Sequence, residues 1–218
     1  MAVLGFVVFR PIKVMPYLAV APSYQLTSQE GWPVSNSDLY GRVVLYDFIY
    51  THCTTVCPAM TGQMLQIQRR LAAMGLSDDV ALVSITFDPQ RDTPERLREY
   101  AEQMNADQAN WLWLTGDTIS IKRLVGSDFG VYFEQVPIDR ASAVAAGLSE
   151  EEITSGYDFI HAVMFVLVDE KGTIRAEYRE LMDVDQMVRD IRLVVNEKNA
   201  GGAARLLWQA AHLIRAYP

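Results

Sequence analysis

Two near-continuous apolar runs, VVLYDFIY at residues 43–50 and VALVSITF at 80–87, constrain this chain more than any other feature. Each is short and rich in β-branched and aromatic residues, so each reads as a strand covered on both faces. Between them, from Pro58 to about Met74, the pattern is helical, which makes the whole a βαβ unit. A crossover of that length leaves its two strands parallel and its connection right-handed. The expected fold class is α/β, a central sheet with helices on both faces.

The rest of the chain extends that pattern. Thr93-Pro94-Glu95 opens a helix running to about Met104, with Thr93 as cap and Pro94 in the first turn, where a missing N–H costs nothing. Strands are expected at WLWL (111–114), VYFEQV (131–136), AVMFVLVD (162–169) and TIRAEYR (173–179), the last two joined as a hairpin at Glu170-Lys-Gly172. Helices are expected near Ser120 to Val125 and from Val184 to about Glu197. The stretch from Pro137 to Tyr157 has no strand periodicity and reads as an insertion with a short helix.

A chain of 218 residues, half of them apolar, is long enough for one sizeable core. The expected layout is an apolar N-terminal arm or anchor remnant over 1–20, one domain over 21–198, and an amphipathic helix over 199–218. The opening MAVLGFVVF is nine apolar residues ending at Arg10, shorter than the roughly 20 a helix needs to cross a bilayer. Its positive charges, Arg10 and Lys13, follow the apolar run instead of preceding it as in a secretory signal. Two readings stand: an arm packed on this domain or a partner, or the end of a membrane anchor. In the C-terminal segment Leu206, Leu207, Ala210, Leu213, Ile214 and Tyr217 fall on one helical face, with Arg205, Gln209 and His212 on the other. Such a helix docks on its own domain, or lies on a membrane surface or another subunit.

Charge narrows the function. Nineteen Lys and Arg against 27 Asp and Glu leave a net charge of −8, which disfavours an electrostatic grip on nucleic acid. The two cysteines are four apart, Cys53-Thr-Thr-Val-Cys57, at the turn from strand to helix, where free helix N–H groups favour a thiolate. A lowered thiol pKa serves a redox nucleophile and a soft-metal ligand equally. At this spacing two sulfurs can close a disulfide or pinch one metal ion. Two thiolates seldom complete a metal site, and the chain offers three histidines as further ligands. His52 sits in a strand-like stretch whose alternation turns it away from Cys53, and His212 reads as a polar-face residue of the tail helix. Met60 and Met64 read as core.

The segments YDFIYTHCTTVCPAM, SITFDPQRDTPERLREYAEQM and FIHAVMFVLVDEKGTIRAEY together resemble the Sco/SenC family of copper-binding, thioredoxin-like proteins, over about Ala21 to Asn196. The resemblance implies a thioredoxin-like fold with a central mixed sheet. It also implies one copper ion held by Cys53, Cys57 and His161, for delivery to the binuclear copper centre of cytochrome c oxidase. The chain departs from the usual motif at Thr54 and Thr55, where relatives often carry Pro and Asp, and at Ile160, where several carry Asp. In thioredoxin-like oxidoreductases a cis-proline stands where His161 stands here, opening the strand at Ala162. An imidazole in that place turns a thiol-docking surface into a metal site. Two thiolates and an imidazole suit Cu(I) as a three-coordinate site and can also hold Cu(II), whereas structural zinc is normally closed by four ligands.

The Asp88-Pro-Gln-Arg91-Asp92-Thr-Pro94 loop lies at the carboxyl end of a strand, the edge of an α/β sheet where sites gather. Asp88 or Arg91 is expected to steady the cysteine turn or to meet a partner. Three functions remain open. The first is a copper metallochaperone serving a copper-receiving oxidase subunit. The second is a thiol-disulfide reductase in which Cys53 attacks and Cys57 resolves. The third is a membrane-associated subunit of a respiratory complex. A thiol peroxidase is disfavoured because Tyr50 stands where peroxiredoxins place Thr, three residues before the reactive cysteine. The first two imply a location on the extracytoplasmic face of the membrane.

Overall fold

The computed structural model describes residues 13–138, 140–145, 156–213 and 217. The apolar MAVLGFVVF segment, and Ile214 of the tail, lie outside the described residues. In chain order the strands are β1 (Ala19–Val20), β2 (Gln25–Ser28), β3 (Pro33–Ser35), β4 (Val43–Ile49), β5 (Val80–Thr86), β6 (Trp111–Thr115), β7 (Phe133–Pro137), β8 (Tyr157–His161), β9 (Phe165–Val168) and β10 (Thr173–Tyr178). The helices are α1 (Cys57–Ala73), α2 (Pro94–Gln103), α3 (Thr118–Ile121, continued by a π-helical stretch to Asp128), α4 (Arg140–Ala145), α5 (Val184–Asn199) and α6 (Gly202–Leu213).

The main sheet has the order β1-β10-β9-β4-β5-β6-β2-β3 and is mixed. Its centre, β4 beside β5 beside β6, is parallel, as the βαβ pattern predicts. Every residue of β4 and β5 is buried, which explains why neither alternates polar and apolar residues. One face of β4 carries Tyr46 and Phe48, which pack on Phe129 at the end of the π-helical stretch, with ring centroids 5.6 and 5.0 Å apart. On the other face Asp47 accepts from Ser84, which also accepts from Trp111. Trp111 stacks on Trp113, and Trp113 packs edge-on against Tyr100 of α2. Helices therefore cover both faces, and the α/β class with a mixed sheet is the observed architecture.

Thr93 caps α2 by accepting from the Arg96 N–H, and Pro94 sits in the first turn. The β9–β10 hairpin turns at Gly172, whose φ of +81° suits glycine, and a Cβ there would meet the Tyr40 ring at 3.0 Å.

The structure corrects the reading at four places. β1, β2 and β3 had no period-2 signature and were not expected; they are two to four residues long and lie at the sheet edges. The strand expected over 131–136 runs Phe133–Pro137 and leaves the main sheet, pairing with β8 in a separate two-stranded ribbon. His161 does not open the strand that follows it. It ends β8, opposite Phe133, and the main-sheet strand begins at Phe165. The fourth correction is the tail: α6 docks through Ala211 and His212, while Leu206 and Leu213 point outward, 67% and 86% exposed.

The docked turn of α6 meets a buried ionic hub. Arg175, 2% exposed, donates to the carbonyls of Met15 and Pro16 and to the carboxylates of Asp169 and Glu197. Glu197 also accepts from Tyr17 Oη at 2.8 Å and pairs with His212 Nε2 at 2.9 Å, while Tyr17 stacks on His212 at 4.4 Å. Burial disfavours the Glu197 charge, yet the Arg175 hydrogen bond and charge outweigh it and hold this carboxyl below its ordinary range. No helix among the described residues is long and apolar enough to cross a membrane.

Candidate metal centre

β4 delivers the chain to the cysteine turn. Past Ile49 the backbone leaves the sheet, Cys53 N–H bonds back to the Tyr50 carbonyl, and Cys57 starts α1 with Pro58 beside it. The Cys57 N–H donates to Cys53 Sγ at 3.3 Å, so one otherwise free helix N–H is aimed at sulfur. Thr55 Oγ1 lies 3.5 Å from the same sulfur. Both cysteines are buried and unbridged.

β8 brings the third donor. His161 Nε2 lies 3.5 Å from Cys57 Sγ and 3.9 Å from Cys53 Sγ. The ligand atoms of Cys53, Cys57 and His161 all lie within 4.8 Å of one another. His161 Nδ1 faces the Ala162 carbonyl at 3.2 Å, and a carbonyl can only accept. Nδ1 thus carries the proton and Nε2 turns its lone pair to the sulfurs, the tautomer a metal-binding imidazole needs. Phe87 and Tyr50 pack against the imidazole at 5.0 and 5.7 Å, and Phe159 closes on both rings at 5.3 Å. This aromatic wall fixes the ring plane and keeps water from one side of the sulfurs.

The two thiols are unequal. A hydrogen bond from the Cys57 thiol, with further help from Thr55 and the Cys57 N–H, outweighs burial and brings Cys53 down to about 3. Burial pushes Cys57 up, and the neighbouring Cys53 thiolate adds to that. At neutral pH the pair is a thiolate at Cys53 and a thiol at Cys57. Since only the thiolate is alkylated, Cys53 of the reduced chain should keep its labelling rate as pH falls from the ordinary thiol value of 9.0, and lose it only towards about 3. Mass-spectrometric mapping of iodoacetamide adducts checks this; a Cys53 rate that already falls near the ordinary value contradicts it.

The Asp88–Pro94 loop ties the two halves of the centre together. Asp92, fully buried, accepts from the Thr51 N–H at 3.1 Å and from the Thr51 hydroxyl at 2.6 Å, two residues before Cys53. Asp88 accepts from Tyr157 Oη at 2.9 Å and pairs with Arg91. Arg91 donates to the Tyr157 carbonyl at 3.1 Å and lies over its ring at 4.0 Å. Tyr157 begins β8, the strand that ends in His161. A second tie joins Tyr50 Oη to Asp158, and burial together with Asp158 pushes the Tyr50 phenol up, so it remains the donor. Asp88 and Arg91 thus hold the histidine strand, while Asp92 holds the cysteine turn. Asp88→Ala should weaken metal binding about 10- to 100-fold, the range for groups that orient ligands, and should also lower metal-free stability, since it breaks a largely buried ion pair. Competition titration checks this, and an unchanged affinity contradicts it.

His52 stays apart from the sulfurs as expected, but from the turn after β4 and not from a strand, its Nδ1 lying 3.9 Å from Asp92. Met60 and Met64 are fully buried core. His212 lies on the docked face of α6, against Glu197 and Tyr17, and not on a solvated polar face. The ties made by Tyr50, Thr51, Tyr157 and Asp158 were not read from the sequence, because their partners lie 41 to 108 residues away.

The family model described as SCO1/SenC matches residues 16–196. A SCO1 protein homolog of Bacillus subtilis is 29% identical over 171 residues, covering 78% of this chain and 79% of its own. A protein of Stutzerimonas stutzeri named for copper binding is 26% identical, covering 86% and 82%. Among solved structures, BsSco, described as a cytochrome c oxidase assembly protein with a disulfide switch, is 26% identical with a TM-score of 0.64, covering 85% and 98%. The match takes in the central sheet, the cysteine turn and the histidine strand, and leaves out the tail from residue 197: the chain belongs to the SCO1/SenC family.

Proposed function

We propose that this chain takes up one copper ion through Cys53, Cys57 and His161 and passes it to the copper-receiving subunit of cytochrome c oxidase. The observation that carries this reading is the convergence of two sulfurs and one correctly protonated imidazole within 4.8 Å, behind an aromatic wall. Two thiolates and an imidazole are soft and few, which suits Cu(I) and leaves room for an incoming ligand. Binding needs one proton to leave, from Cys57, since Cys53 is already ionised. Transfer then proceeds by ligand exchange, each donor yielding in turn to a thiolate or imidazole of the recipient. The names of the S. stutzeri relative and of BsSco agree with copper and with oxidase assembly. The working unit is residues 21–198, on the extracytoplasmic side of the membrane where the recipient centre faces.

The unequal thiols favour a second reading, a disulfide reductase acting on the recipient's cysteines. The Cys53 thiolate attacks a disulfide sulfur and expels one thiolate. Cys57 then gives up its proton, attacks Cys53 Sγ and expels the second, leaving a Cys53–Cys57 disulfide and a reduced recipient. The cycle needs an external dithiol to restore the chain.

One experiment separates the readings. The Cu(I)-loaded chain is mixed with the reduced, copper-free soluble domain of the recipient subunit, and the reduced metal-free chain is mixed with that domain's disulfide form. Copper appearing in the recipient supports delivery; its retention, with rapid disulfide exchange in the second mixture, supports the reductase.

A further inference from the structure

We propose that the outward face of α6, with the adjoining segment Tyr17–Val20, is a docking surface for an anionic lipid bilayer. Leu206 and Leu213 are 67% and 86% exposed, Leu207 is exposed beside them, and Tyr17, Leu18 and Val20 continue the apolar surface. Tyr17 stacks on His212, so the segment Tyr17–Val20 runs alongside the docked side of the same helix. The whole of this helix lies beyond the part of the chain that matches the family model, so its apolar face is not explained by the domain it follows.

Charge selects the occupant. All 27 acidic residues lie between Glu30 and Glu197. The segments before and after hold Arg10, Lys13, Lys198, Arg205 and Arg215 and no acid, so both ends of an acidic chain are locally basic in sequence. A second copy on this face would set the acid-free, basic segment 198–218 against itself. An anionic bilayer offers what this face lacks: lipid headgroups for Arg205 and an acyl boundary for the leucines.

Docking there orients the copper-site residues. Lys198, at the end of α5, bonds Asp79, whose carbonyl accepts from Val43 at the start of β4. The cysteine turn follows the other end of β4. A strand of this length spans roughly 20 Å, so the sulfurs sit across the sheet from the lipid and open to the aqueous side.

The test is flotation of the full, copper-free chain with vesicles of phosphatidylcholine plus phosphatidylglycerol, against phosphatidylcholine alone. The chain should float with the anionic vesicles, less so as salt rises. The double change Leu206→Ser and Leu213→Ser should weaken partitioning by about tenfold or more per leucine, since each loses the burial of a whole side chain. Arg205→Glu should weaken it on the anionic vesicles. Ile119→Ser, equally exposed but outside the patch, should leave it unchanged. Because both leucines are solvent-facing, the double variant should unfold at the parent's denaturant midpoint. No flotation, flotation indifferent to the leucines, or a dimer or protein complex that the double change dissolves while vesicles stay unbound, overturns the proposal. No copper is present in any arm, so the result does not depend on the metal reading.

Discussion

Changing Cys57 to serine is expected to lower the affinity of the reduced chain for Cu(I) by more than about 100-fold, beyond the range seen when only ligand-orienting groups are removed. Serine keeps the size of the side chain but offers a hard oxygen that does not ionise near neutrality, and Cu(I) selects soft donors. Cys53→Ser should act alike, because it removes the sulfur that is already ionised at neutral pH. His161→Ala should cost less, since two sulfurs remain and can hold Cu(I) between them. Competition against a Cu(I) chelator without oxygen measures the series. The order Cys57→Ser and Cys53→Ser well below His161→Ala, itself below the parent, is the expected one. Serine variants within tenfold of the parent, or a His161→Ala chain that binds as the parent does, contradict the three-donor site.

Arg175→Met should destabilise the fold by about 3–5 kcal/mol, because it leaves Asp169 and Glu197 as buried charges without their common partner. Asp169 is 3% exposed, and Arg175 also holds the carbonyls of Met15 and Pro16. Denaturant unfolding at neutral pH reads the loss. Adding Glu197→Gln should recover part of it, since one of the stranded charges is then removed. Copper affinity should stay within twofold of the parent, as the hub lies at the other end of β4 from the cysteines. A loss under about 1 kcal/mol would place the hub with exposed ion pairs, which contribute little.

The parts of the fold that were legible are those written in local pattern. β4, α1 and β5 were readable because two short, wholly apolar runs flank a helical period. The cap and first turn of α2 were readable from Thr93-Pro94, and the β9–β10 hairpin from Gly172. β1 to β3 were not, because their two to four residues carry no periodicity and form only against edges supplied from elsewhere. β8 was missed because YDFIH and the strand after it make one apolar stretch, and only pairing with β7 splits it.

The same contrast holds at the site. Cys53 and Cys57 announce themselves by spacing, and His161 follows from the family resemblance. The ties from Asp88, Arg91 and Asp92 join loops far apart in sequence, so the motif was visible while its partners were not. The outward leucines of α6 show the limit of a helical wheel. It found the apolar face correctly, but the ionic hub, through His212 and Glu197, decides which face turns inward.

The most direct test of the copper centre is X-ray absorption on the reduced chain carrying one equivalent of Cu(I). The geometry predicts a first shell of two sulfurs and one nitrogen, with the imidazole signal gone in His161→Ala. A shell without nitrogen in the parent, or failure of the reduced chain to retain the ion, would contradict a centre built from Cys53, Cys57 and His161.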